Sequence, residues 1–307
     1  MAVSQHFLAW ECTSRLDSRF LYYWFQYIRP ELERIAVGST IKTIGLGYFD
    51  KLRIPLPPPA AQSAIVSALY ALDSTDLLIE RLIERKVALR RGVMQQMIGG
   101  YKRFQEFRNR PWTHSRLSDH VSEVARRNTG AIDLVLTASG THGLVDQRRY
   151  FTRNVAGADL SKYHLLRRGE FAYNRSAMIG FPYGATKRLD EHAEGALSTL
   201  YLCFSIVDPK LDSDYLKHIF DSGILNRQLR PIVRVGARAH GLLNVTTDDY
   251  LSVSIPLPEI DEQRRISDTL SAMNQELTLL DAQRKQIDRY KRGLLTRFLS
   301  DEFNGPG

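Results

Sequence analysis

The chain has 307 residues, with 42 Lys and Arg against 34 Asp and Glu, a net charge of +8, and two cysteines. At roughly 100–200 residues per domain the length suggests two domains. The composition excludes a disordered tail, a collagenous chain and a disulfide scaffold. Cys12 and Cys203 are too few for a structural zinc site and point to a reducing compartment.

The N-terminal residues, Met-Ala-Val-Ser-Gln-His-Phe, have no basic region followed by an apolar core, so no secretory signal is read and a cytoplasmic location is expected. The run Phe20–Ile28 is aromatic but too short to span a membrane, and it reads as part of a helix over Asp17–Ile28.

Ile54-Pro55-Leu56-Pro57 recurs as Ile255-Pro256-Leu257-Pro258, an offset of 201. Held without gaps from Ile54 to Ile98, that offset leaves 11 of 45 positions identical, Gln62/Gln263 and Arg91-Gly92/Arg292-Gly293 among them. Upstream, Leu16-Asp17-Ser18 matches Leu211-Asp212-Ser213 at an offset of 195. The second copy has a long body between Trp112 and Tyr250, and the first has no counterpart to most of it. The first unit is therefore expected to be incomplete at its N-terminal side.

After each Pro-rich tetrapeptide comes a long stretch with apolar residues in alternating steps of four and three. One stripe runs through Ile65, Leu69, Leu72, Ile79, Ile83 and Val93, with polar breaks at Asp76, Lys86 and Arg90. The other runs through Ile266, Leu270, Met273, Leu277, Leu280, Ile287 and Leu294, with breaks at Arg284 and Lys291. Such spacing is the seam of a coiled coil, and opposed polar positions set the register of a helix pair. Each helix, at about 38 residues and 1.5 Å per residue, would extend roughly 57 Å. One amphipathic helix alone would pack on its own body; two with matching seams point to mutual pairing, and an antiparallel pair would act as a ruler.

Between the helices, Ile132–Thr137, Gly169–Asn174, Leu197–Val207 and Leu251–Pro256 read as strands, and Asp212–Leu229 as a helix capped by Asp212 or Ser213. The fold expected is α+β: mixed α/β bodies with two long helices pairing as an antiparallel coiled coil. Basic residues fall in Gly-rich loops, and Arg148, Arg149, Arg175, Lys187, Arg188, Arg234, Arg238 and His240 are the candidates for phosphate or base-edge contacts. The alternative for each is solvated surface. There is no phosphate-binding loop, no dinucleotide fingerprint, no HExxH and no nucleophile elbow, and the Cys and His residues lack ligand spacing, so no catalysis and no metal are read.

The doubled Ile-Pro-Leu-Pro, each copy followed by a helix with Gln62 or Glu262-Gln263 and closing on a basic-Arg-Gly run, resembles the specificity subunit of Type I restriction-modification systems. Leu166–Arg175 and Gly236–Pro258 are similar to segments of that family's target-recognition domain. The resemblance implies a remnant of a first recognition domain at 1–57, a spacer helix at 58–104, a complete recognition domain at 105–258 and a second spacer helix at 259–303. It implies double-stranded DNA as a partner, methyltransferase subunits docked around the helices, and restriction and translocation subunits joining them. S-adenosylmethionine, ATP and Mg would then reside on those partners, and this chain would bind no cofactor. Because the first domain looks incomplete, three arrangements stay open: complementation by a second chain, self-association, or a remnant with little specificity. A scaffold that binds partner proteins without specific DNA binding is the competing reading.

Overall fold

The computed structural model describes residues 8–38, 42–130, 132–140, 142–150, 159–178, 180–235 and 243–299. Contacts divide the chain into two units, Met1–Val87 with Gln275–Gly307, and Ala88–Asn274. Each of the two long helices gives one stretch to each unit.

In the first unit, Asp17 caps α1 (Ser18–Ile35) by accepting the Arg19 N–H. The aromatic run makes this helix amphipathic, and Phe20, Leu21, Tyr23 and Trp24 form its buried face. It runs past the expected end at Ile28 and carries Pro30 within it. A short turn, α2 (Leu46–Phe49), leads to the Pro-rich segment and then to α3 (Pro59–Ile98). Proline suits a helix start because the first N–H groups have no intrahelical partner. The core joins α1 to Ile65, Val66 and Leu69 of α3 and to Leu295 and Leu299 near the end of the last helix.

The second unit is mostly antiparallel sheet. Chain order gives β1 (Thr113–Arg116), β2 (Val121–Glu123), β3 (Leu136–Ser139), β4 (Gly143–Asp146) and α4 (Gln147–Tyr150). Next come β5 (His164–Arg167), β6 (Phe171–Asn174), β7 (Ala185–Arg188), β8 (Glu194–Leu197) and β9 (Tyr201–Ile206). Then follow α5 (Ser213–Ser222), α6 (Asn226–Ile232), β10 (Arg234–Val235), β11 (Leu243–Asn244), α7 (Thr247–Leu251), β12 (Ser254–Leu257) and α8 (Ile260–Leu299).

A four-stranded sheet has the order β2-β9-β6-β7, and β1–β12, β3–β4, β5–β8 and β10–β11 form pairs. Residues two apart on β6 and β9 share a face. Phe171, Tyr173, Leu202 and Phe204 pack on α5 and the helix ends, whereas Ala172 and Cys203 join Leu136, Leu144, Leu166 and Leu197 on the other side. Both faces of the central strands are thus covered.

Four expected boundaries shift. Strand β3 begins at Leu136 rather than Ile132, and β6 begins at Phe171 because Gly169 turns at φ 87°. The expected strand over 197–207 is the end of β8 plus β9, and the one over 251–256 starts only at Ser254, since α7 occupies Leu251. The expected helix over Asp212–Leu229 is two helices. Asp212 caps the first through Tyr215 N–H, and Gly223 ends it in the left-handed conformation at φ 75°, which glycine adopts without steric cost.

The repeat is visible atom by atom. In the first unit the Gln62 amide accepts from Asp17 N–H at 2.8 Å and donates to the carbonyls of Arg15 (2.9 Å) and Pro57 (2.8 Å). In the second, Gln263 accepts from Asp212 N–H at 2.8 Å and donates to Lys210 and Pro258, both at 2.8 Å. One buried amide in each unit thus ties the Pro-rich segment, the cap of the packed helix and the start of the long helix. Burial makes each of these bonds costly to leave unmade.

Candidate nucleic-acid interface

The helix pair provides the frame. In the first unit Ile65 and Leu69 meet Leu295, with Leu294 partly buried beside them, and in the second Ile266, Leu270 and Met273 meet Met94, Met97 and Ile98, with Val93 partly buried. Within the first unit Asp73, Asp76 and Lys86 pair with Lys291, Arg284 and Glu276 in turn, so rising numbers on α3 meet falling numbers on α8 and the pairing there is antiparallel. Leu72, Ile79, Ile83, Leu277, Leu280 and Ile287 are half-buried.

The polar breaks find one another. Arg284 donates to both carboxylate oxygens of Asp76, at 2.9 and 3.0 Å, and reaches Glu80 at 3.3 Å. Lys291 bonds Asp73 at 2.5 Å, and the same carboxylate accepts the Tyr23 hydroxyl at 2.9 Å. Lys86 pairs with Glu276 at 2.6 Å. The Arg284 hydrogen bonds hold the Asp76 carboxyl below its usual range. Arg90 departs from this pattern: it belongs to the second unit, where burial lowers its pKa and the charge of Asp221 opposes that shift. Asp73, Glu80 and Glu276 were not visible as partners in the sequence, because an i,i+4 pattern shows the face of a helix and not the register of its neighbour.

The candidate DNA-contacting residues separate into three groups. Arg148 and Arg149, on the α4 turn after β4, are exposed; Arg149 is 88% accessible and lies 3.9 Å from Asp146. Arg175 follows β6, half-buried, with one guanidinium nitrogen 3.4 Å from the Thr247 hydroxyl and its Nε buried without a partner among the described residues. The Arg175 carbonyl accepts Leu243 N–H at 2.7 Å, which brings the β10–β11 pair to the end of β6. Arg234 lies in β10, opposite Asn244. Arg238 and His240 lie outside the described residues.

Lys187 and Arg188 differ from the rest. Both lie on β7 and are held inside the unit. Lys187 is buried, bonds Asp221 of α5 at 2.7 Å and sits 4.5 Å from the Phe181 ring centroid. Arg188 bonds Asp190 and Asp214 at 2.6 Å and the Ser213 hydroxyl at 2.8 Å. Burial works against its charge, but the two carboxylates outweigh this and raise its pKa. These cations fasten the sheet to α5, a role that a basic pair read in sequence cannot distinguish from a surface patch.

Other basic residues carry structural duties that the sequence did not disclose. Arg126 clasps Glu170 at 3.1 and 3.2 Å. Arg167 bonds Glu194 at 2.9 Å. Arg168 donates to the carbonyls of His192 and Glu191 beside an open depression lined by Ile132, Asp133, Leu134 and Glu194. Two carboxylates balance the two arginines there, so the depression has no excess charge. Among the described residues no group of three His, Cys, Asp or Glu could hold a metal ion. Burial pushes the Cys203 thiol up to about 12, far from a reactive thiolate. None of the described helices is long and apolar enough to cross a membrane.

Residues 1–85 match the family described as the Type I restriction modification DNA specificity domain. The chain is 22% identical over 311 aligned positions to the Type I restriction enzyme MjaVIII specificity subunit of Methanocaldococcus jannaschii, covering 93% of this chain and 70% of the relative. Its fold resembles the S subunit of a Type I restriction-modification system from M. genitalium, with a TM-score of 0.56, 14% identity, and coverage of 94% of this chain and 74% of that one. The HsdS subunit from Thermoanaerobacter tengcongensis gives a TM-score of 0.50 at 17% identity, with 94% and 71% covered.

Proposed function

We infer that this chain, which shares the fold of Type I restriction-modification specificity subunits and matches their DNA specificity domain over residues 1–85, serves as the DNA sequence-recognition subunit of such a complex. The observation that carries this reading is the match to a DNA specificity domain on a chain whose two long helices pair antiparallel. Residues 105–258 form the body that reads a half-site. Arg148 and Arg149 meet phosphates, and Arg175, beside the β10–β11 pair, reaches toward base edges. Residues 58–104 and 259–303 carry the spacer helices, and 1–57 belong to a first body.

In the same reading the helices dock methyltransferase subunits. Leu77, Leu78, Leu82 and Leu279 are exposed apolar residues on the long helices, outside the seam, and they offer a contact for protein rather than nucleic acid. Restriction and translocation subunits join through those partners. The chain itself is non-catalytic and cytoplasmic, and S-adenosylmethionine, ATP and Mg are handled by the other subunits.

The test is a salt titration of duplex binding by the chain assembled with methyltransferase subunits. Affinity is expected to fall linearly in log–log form, and Arg149→Ala to shrink the slope by about 1 while weakening all sequences alike. Arg175→Ala is expected to relax preference at one position. No affinity for any duplex at low salt would sink the DNA reading and leave a protein scaffold.

A further inference from the structure

The two units share a framework but differ at two places along the long helices. At the foot of α8, Glu262 accepts the Trp112 indole N–H at 2.8 Å and two Arg103 bonds at 2.7 and 2.9 Å, where the first unit has Ala61. That exchange brings its own partners. The other does not.

In the first unit Lys291 of α8, Asp73 of α3 and Tyr23 of α1 form a closed node. One Asp73 oxygen takes the ammonium at 2.5 Å and the other takes the Tyr23 hydroxyl at 2.9 Å. The ammonium also lies 5.5 Å from the Tyr23 ring centroid. The offsets of 201 and 195 place Arg90, Asn274 and His218 at these three positions in the second unit. The cation is kept, the carboxylate becomes a neutral amide, and the phenol becomes an imidazole.

The substitution leaves a cation and a ring unmatched. Arg90 Nε and both ring nitrogens of His218 are buried without a hydrogen-bond partner among the described residues, and His218 is 3% exposed. Buried polar groups left in this way are rare and costly. Burial pushes the imidazole down to about 4 against the pull of Asp221, with the charges of Arg90 and Lys217 adding to the shift. The ring is therefore neutral at neutral pH and keeps one N–H to donate.

The neighbouring carboxylates are already engaged. Asp221 holds Lys187 at 2.7 Å, Asp190 holds Lys217 at 2.5 Å and Arg188 at 2.6 Å, and Asp214 holds Arg188 at 2.6 Å. The cations Arg90, Lys187, Arg188 and Lys217 thus outnumber the carboxylates Asp190, Asp214 and Asp221 by one around α5. The surplus cation is Arg90.

We propose that the second unit holds one small monovalent anion of the carboxylate class between Arg90 and His218, in the part that Asp73 plays between Lys291 and Tyr23. One oxygen accepts from the guanidinium and the other from the imidazole N–H, and a charge-assisted bond replaces an unmade one. The half-buried Arg90 gives the site an open side, while a ring as buried as His218 suits a small free acid rather than the side chain of a bound macromolecule. The anion pins α5 to the long helices, and this role stands apart from the DNA reading because it needs no nucleic acid.

The test is amide hydrogen exchange of the full chain at Leu216–Ser222, at neutral pH, titrated with sodium formate at constant ionic strength set by sodium fluoride. An anion bound only to the closed form slows exchange by the factor 1 + [formate]/Kd, so about tenfold slowing is expected at a tenfold excess over Kd. Residues Phe20–Gln26 of α1, whose node Asp73 already closes, should not respond. Asn274→Asp supplies the carboxylate from the chain itself, so exchange at Leu216–Ser222 should slow without formate, and formate should add nothing. Arg90→Gln should abolish the formate response. Benzoate, the same group on a bulky ring, should leave exchange unchanged. No formate response in the parent chain would overturn the proposal. So would an equal response at Phe20–Gln26, or one that survives in Asn274→Asp, since either marks a general salt effect. A benzoate response as strong as that of formate would exclude the small free acid.

Discussion

The helix feet of the two units are nearly superimposable in their hydrogen bonding, yet the helices packed beside them are trimmed in opposite ways. On α5, Asp214, Lys217 and Asp221 reach the sheet and pair with Arg188, Asp190 and Lys187. The positions on α1 that match them hold Arg19, Tyr22 and Gln26. Arg19 turns back to its own Asp17, and Tyr22 is exposed. The glutamine amide and the capping aspartate thus define the common frame, while the charged rim of the packed helix records what lies against it.

The largest effect is expected where the frames differ most. Glu262→Ala gives the second unit the residue that the first unit has, and it leaves Arg103 and Trp112 without their shared acceptor. A loss of about 3 kcal/mol is expected in denaturant unfolding, since one member of a largely buried pair is removed. Faster exchange at Thr113–Arg116 should accompany it. If β1 exchanges as slowly as before, Glu262 is not what holds the first arm in place.

Removing the shared element comes next. Gln62→Ala and Gln263→Ala should each cost about 2 kcal/mol, because each strands one buried N–H and two carbonyls, in part reachable by water. Exchange should rise around Asp17 in one variant and around Asp212 in the other. An equal effect on both regions from either change would show that the two frames do not act separately.

The smallest effect belongs to the helix pair. The folded-state pKa of Asp76 is depressed by Arg284, so its contribution is present above the unfolded carboxylate pKa and is lost as pH falls through the folded value. The pair is about one-third exposed, so solvent screening limits it to about 0.5 kcal/mol. Asp76→Asn should therefore cost about 0.5 kcal/mol near neutrality and flatten the profile on the acidic side of pH 4, so that variant and parent converge at low pH. A profile identical to that of the parent chain would remove Arg284–Asp76 from the account of register.

What the sequence disclosed was periodic or repeated. The seam from Ile65 to Leu294 could be read because helical spacing is local, and Gln62/Gln263 stood out because the offset repeated. The break at Gly223 was missed, since the apolar pattern continues past it and one glycine in a helix costs only about 1 kcal/mol. The internal role of Lys187 and Arg188 was also missed: their partners on α5, Ser213, Asp214 and Asp221, lie 25 to 34 residues away. The exposed candidates stayed mixed with structural arginines for the same reason, because an exposed Arg149 and a clasped Arg126 are the same letter.

The pairing of β1 with β12 joins residues 144 positions apart, Thr113 and Leu257, so the second body enters and leaves through one doorway. Whatever lies between those two strands can change in length and chemistry without displacing the ends that meet the long helices. The body is built as an exchangeable cassette, and the doorway strands are its fixed fitting.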